Sequence, residues 1–116
     1  MVRLDTGDSI TSRQFAPSAD YVWGFYIRFS NLDPDPAADF MRSTSVSIRL
    51  RLKTDGNLAI IDANNSEVAV TSSTPFAVET WHRVELRWRQ SNSGDAEVWV
   101  DGSQILNVSG EDFLAG

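Results

Sequence analysis

Between Ser45 and Lys53 the chain reads Ser-Val-Ser-Ile-Arg-Leu-Arg-Leu-Lys, an unbroken alternation of polar and apolar residues. Successive side chains of an extended strand point to opposite faces, so Val46, Ile48, Leu50 and Leu52 share one face and Arg49, Arg51 and Lys53 the other. A helix would scatter the same residues around its axis. The segment is therefore read as a half-buried strand, which needs a second layer to cover its apolar side. No window of the 116 residues keeps a 3.6-residue period, and turn signals recur about every ten residues. That pattern predicts an all-β domain of antiparallel strands, a sandwich or a barrel.

Turn chemistry refines the reading. If Leu52 pairs with Leu58, Thr54-Asp55-Gly56 is left as a three-residue loop with glycine at its left-handed position. A second hairpin is expected with Ile60 opposite Val68, Leu58 opposite Val70, and Ala63-Asn64-Asn65 as the loop, Asn65 taking the positive φ. Asp20 to Ser30 sets Tyr21, Trp23, Phe25, Ile27 and Phe29 against Val22, Gly24, Tyr26 and Arg28, and reads as a central strand covered on both sides. Thr80 to Gln90 and Ala96 to Val100 form a third hairpin, with Val84, Leu86 and Trp88 facing Val98 and Val100. Ile105 to Val108 is a short strand after the Asp101-Gly102 turn. Two prolines make Asn31 to Asp39 a loop.

Composition narrows the function. With 16 acidic against 10 basic side chains the net charge is −6, the wrong sign for neutralising phosphates, so no nucleic-acid partner is expected. No apolar stretch approaches the roughly 20 residues that span a bilayer, and membrane insertion is not expected. The absence of cysteine removes thiolate chemistry and cysteine-ligated metals. The first residues lack the apolar run of a secretory signal. The length fits one domain, residues 1–116.

Four segments carry a family resemblance. Trp81-His-Arg-Val-Glu-Leu-Arg-Trp, followed after a polar turn by Ala96-Glu-Val-Trp-Val-Asp-Gly, resembles the paired strands of laminin-G-like domains in the concanavalin A-like lectin/glucanase superfamily. Phe25-Tyr-Ile-Arg-Phe resembles that fold's early aromatic strand, and Leu50-Arg-Leu-Lys-Thr-Asp-Gly-Asn-Leu its central hairpin. The resemblance spans about residues 20–108. It implies a concanavalin A-like jelly-roll β-sandwich of antiparallel strands, a fold of lectins, glucanases, adhesion modules and virion surface proteins. It also implies an extracellular or virion-surface location. The family's closing strand has no counterpart before Gly116, so the expectation is a domain incomplete at its C-terminal edge: either the chain is a fragment, or the open edge takes a strand from a partner or a second copy.

No catalytic motif accompanies these strands. A glucanase of the superfamily carries Glu-x-Asp-x-x-Glu, which this chain lacks. Glu85, Glu97 and Asp101 do share an outward face, with Glu85 opposite Trp99 and about 7–8 Å from the other two between α-carbons. The same register pairs Arg87 with Glu97 and Arg83 with Asp101, so ion pairing explains them more simply than hydrolysis, and no enzyme is expected. His82, the only histidine, points inward beside Val84 and reads as a core or rim residue. Asp33, Asp35 and Asp39 are calcium candidates, against a plain solvated loop; no other cofactor is expected. Asn64-Asn65-Ser66 and Asn107-Val108-Ser109 match the glycosylation pattern by chance.

Binding residues stand out better. Trp99 turns away from Val98 and Val100, onto the face of Arg83, Arg87, Glu85 and Glu97, where an indole can stack on a sugar ring or on Arg87. Trp23, Trp81 and Trp88 read as core. Arg49, Arg51 and Lys53 line a strand face, with Arg42 just before it, where an anionic glycan could dock. The expected function is a non-catalytic carbohydrate- or surface-binding module, with Trp99, Arg87, Glu97 and Arg51 as ligand candidates and a glycan or another protein chain as partner. The alternative is a structural or assembly protein, such as a virion or appendage subunit.

Overall fold

A computed structural model describes residues 2–3, 11–15, 20–43 and 47–114. Ten strands follow in order: β1 (Val2–Arg3), β2 (Thr11–Phe15), β3 (Asp20–Phe29), β4 (Ala38–Arg42), β5 (Arg49–Leu52), β6 (Leu58–Ile61), β7 (Glu67–Val70), β8 (Trp81–Arg89), β9 (Gly94–Val100) and β10 (Ser103–Glu111). They form two antiparallel sheets: β1 and β2 pair with β3, which continues through β8, β9 and β10, while β4 to β7 pair in sequence order. The described residues contain no helix. The protein is an all-β sandwich.

The core lies where the two alternations meet. Phe25, Ile27, Phe29, Val84, Leu86, Trp88, Val98 and Val100 from one sheet and Met41, Leu50, Leu52, Leu58 and Ile60 from the other are buried in one cluster. Each such side chain is stabilised by about 1.5–3 kcal/mol on leaving water. Aromatic rings knit the ends. Tyr21 stacks on Trp88 at 4.9 Å between centroids, and Phe29 meets Phe76 at 4.8 Å. Phe113 closes the bottom, fully buried, its amide donating to Ser91 O at 2.8 Å.

The hairpins follow their turn residues. Leu52 pairs with Leu58 as expected, and Gly56 has a φ of 85°. A Cβ at Gly56 would lie 2.8 Å from the Leu32 carbonyl oxygen and 3.3 Å from Thr74 Cβ, so the turn is also pressed against two loops. Asp101 and Gly102, with φ values of 52° and 86°, make the two-residue link between β9 and β10. Positive φ at both positions matches the twist of the strands it joins. Val84 pairs with Val100, Leu86 with Val98 and Arg87 with Glu97, as the alternation requires.

Four expectations need correction, and one lies outside the described residues. The β6–β7 hairpin starts in the expected register but slips: Ile61 pairs with Glu67, then Ile60 with Ala69 and Ala59 with Val70. The buried Asp62 carboxylate accepts from Asn64 N and Ser66 N at 2.9 Å each and sets the loop, Asn65 taking a φ of 63°. A bulge then absorbs one residue and leaves Val70 exposed. β3 is central in its sheet but is not covered on both sides, since Tyr26 is 44% exposed. Trp81 is not core but 43% exposed, because the alternation that turns His82 inward turns its neighbour out. Asp39 belongs to a strand rather than the proline loop, whose Asp35–Pro36 bond is cis. Val46 lies outside the described residues.

Candidate ligand-binding face

The outward face of β3, β8 and β9 is built by the residues the core rejects. Val22 stands opposite Arg87, which stands opposite Glu97 on the next strand; Gly24 is opposite Glu85, and Glu85 opposite Trp99; Tyr26 is opposite Arg83, and Arg28 opposite Trp81. Trp99 is half-buried. Beside it opens a hollow of about 360 Å³ lined by Val22, Glu85, Arg87, Trp99 and Gly102. Two hollows of about 470 Å³ lie along β4 and beside residues 70–75. The chemistry favours the smaller one, because it alone of the three joins an indole to ionisable groups and can combine stacking with hydrogen bonding.

Its charged groups are held in place. Arg87 donates to Glu97 Oε1 at 2.8 Å from Nε and 2.5 Å from Nη2, and to Asp95 Oδ2 at 2.8 Å. Partial burial opposes the guanidinium charge, but those hydrogen bonds outweigh it and hold Arg87 more firmly protonated than a free arginine. Gln104 Nε2 donates to the other oxygen of Glu97 at 2.7 Å. Arg83 lies over the Tyr26 ring, 5.4 Å from its centroid, and its Nε is 3.4 Å from Glu85 Oε1. The absence of a side chain on Gly24 makes room for that guanidinium, since a Cβ there would lie 3.0 Å from Arg83 Nη2. A neutralised arginine–carboxylate lattice can donate to and accept from a ligand without moving.

Two of the three carboxylates weighed for catalysis have close hydrogen-bond partners. Glu97 is taken by Arg87 and Gln104. Asp101 accepts from Arg83 N at 2.9 Å and shares a 2.7 Å hydrogen bond with His82 Nδ1, rather than pairing with the Arg83 guanidinium. Desolvation pushes the Asp101 carboxyl up, yet the His82 and Arg83 hydrogen bonds prevail and hold it below the usual carboxylate range. His82 itself is buried, and its Nε2 accepts from Ala77 N at 3.0 Å. Nδ1 therefore carries the proton and donates to Asp101, and the ring ties the loop before β8 to the β9–β10 turn.

Arg87, Glu97 and Trp99 thus come together, whereas Arg51 does not join them. It lies on β5 in the other sheet, donating to Asp39 at 2.6 Å from Nε and 3.3 Å from Nη2. The hydrogen bond to Asp39 raises its pKa despite partial desolvation. Lys53 pairs with Glu67 at 2.9 Å, and Arg49 donates to Asn65 Oδ1 at 2.7 Å. Arg49, Arg51 and Lys53, three of the cations expected to draw an anionic glycan, thus have partners within that sheet or its turns. Of the calcium candidates, Asp39 is occupied by Arg51 while Asp33 and Asp35 are exposed, and no three acidic or histidine side chains among the described residues cluster to hold a metal.

Sequence reasoning missed Tyr26, Trp81, Gly24 and Val22 as members of this face. The signal was present, since all four occupy outward positions of their strands once Phe25 and His82 are set inward. No protein family, curated protein or solved structure matches the chain.

Proposed function

We propose that the protein is a non-catalytic carbohydrate-binding module whose ligand sits on the β3–β8–β9 face at Trp99. The observation that carries this reading is the half-buried indole beside an open hollow, flanked by an Arg87–Glu97 pair fixed by short hydrogen bonds. A sugar ring offers an apolar C–H side to the indole and hydroxyls that both donate and accept, which matches such a floor. The laminin-G-like resemblance of the same two strands supports it, and with it a jelly-roll connection of the sheets and an extracellular or virion-surface setting.

The test is binding to an array of neutral and sulfated glycans. We expect signal that Trp99→Ala removes while the melting temperature stays within a few degrees of the parent. Silence across the array would sink the proposal.

A second reading, an assembly subunit that contacts other chains, is favoured by Tyr26, Val78 and Trp81, all exposed by more than two-fifths. A stable oligomer in sedimentation, with no glycan bound, would establish it instead.

A further inference from the structure

We infer that the binding face runs on from Trp99 past Gly24 to Tyr26 and Trp81, and that it takes an extended, uncharged oligosaccharide whose successive rings lie over the three aromatic side chains. This inference rests on the carbohydrate reading and names the ligand class of that site.

Register sets the three rings at successive levels along three adjacent strands, Trp99 on β9, Tyr26 on β3 and Trp81 on β8 between them. Trp99 is opposite Glu85, and Trp81 lies four residues from Glu85 on the same strand, so the two indoles are about 14 Å apart along β8. Tyr26 is opposite Arg83, midway between them in the strand direction, and lies on β3, across β8 from Trp99. It stands diagonal to Trp81, about 7–8 Å away between α-carbons. Tyr26 within β3 and Trp81 at the start of β8 expose 44% and 43% of their surface, more than most large aromatic residues of a sheet. Glu85 and Arg83 of β8 stand between Trp99 and Tyr26, and Gly24, lacking a side chain, leaves room for the Arg83 guanidinium and its donors. The row is longer than one sugar ring, so a single sugar would leave part of it uncovered.

Charge complementarity selects an uncharged chain. Arg28 pairs with Glu79, Arg83 with Glu85, and Arg87 with Glu97 and Asp95, so every guanidinium along the row has a carboxylate beside it. A sulfated or uronic acid chain would meet those carboxylates as well as the arginines, and would have to displace them to be bound. Neutral hydroxyls can use both members of each pair in place.

The experiment compares neutral glucan and xylan oligosaccharides of one to six sugars, and sulfated forms of the longest, by titration calorimetry. Affinity is expected to climb over the first three or four sugars and then level. Tyr26→Ala and Trp81→Ala should each weaken the longest neutral chain several-fold to tenfold, about the value of one aromatic stacking contact, and leave the shortest bound chain unchanged. Tyr26→Phe and Trp81→Phe should retain most of the affinity. If Trp99→Ala abolishes binding but the Tyr26 and Trp81 variants hold long chains like the parent, the extended row is wrong and the carbohydrate reading stands. Tighter binding of sulfated chains would refute the uncharged ligand alone. Absence of binding to every glycan removes both, as does an oligomer that Trp81→Ala disperses, which would make the occupant a second copy.

Discussion

The outward faces of the two sheets start from the same alternation and end differently. On β5 and β6, Arg49 stands opposite Ile61 and Arg51 opposite Ala59, and both guanidinium groups converge on Asn65 Oδ1 in the turn beyond, at 2.7 and 3.4 Å. Ile61 and Ala59 are wholly buried although they face away from the core between the sheets. Arginine stems can lie over apolar surface while their heads stay at water, and here they roof a strand. On β3 and β8 the arginines lie beside aromatic rings and leave them exposed. One face is closed by its own cations; the other uses them to frame rings that nothing among the described residues covers. Outward arginines are therefore poor guides to a binding site until their neighbours are known.

Substitution at matched outward positions should separate the two faces most sharply. Ile61→Ala is expected to lower unfolding free energy by about 2–5 kcal/mol, the usual result of emptying a buried aliphatic site. Tyr26→Ala should change it by less than about 1 kcal/mol. Urea titration of the two variants measures both, and equal losses would mean that the aromatic face is packed like the other. The next contrast is in pH dependence. Because Asp101 is held below the usual carboxylate range, its contribution is present in full above the unfolded-state value near 4 and fades as pH falls through the lower folded value. Asp101→Asn should therefore be less stable than the parent at neutral pH, with the gap narrowing in acid. A gap that widened below pH 4 would contradict the hydrogen-bonding scheme. The smallest effect belongs to the closed face, where Asp39→Asn should cost about 0–1 kcal/mol and be less visible at high salt, as half-exposed ion pairs are.

Much of this was legible in the chain, for reasons that differ by element. β5, β8 and β9 could be read because apolar residues alternate without a break and the glycines or asparagines of the turns fix the register independently. β4 could not, since Ala38-Asp-Phe-Met-Arg is short and follows two prolines. The slip between β6 and β7 depends on a bulge and on Asp62 accepting backbone N–H groups, a competition between side chain and ladder that periodicity does not register. Trp81 was misplaced by size, for a large indole suggests a core while its position in the alternation sends it outward. In the site, Trp99, Arg87 and Glu97 were found because all three lie on one hairpin. Arg51 was not separable from them, since the sequence cannot say which sheet carries which cation.

Gly56 carries a consequence for how this chain can vary. Its turn needs a left-handed backbone, and the Leu32 carbonyl 2.8 Å from where a Cβ would stand forbids even the smallest side chain. Asparagine, the common substitute at such angles, is thereby shut out, whereas at Gly102 and Gly110 nothing lies within 4 Å of the same point. In any lineage that keeps this fold, drift should reach those two positions long before it touches residue 56, which makes that glycine a marker by which distant kin could be recognised.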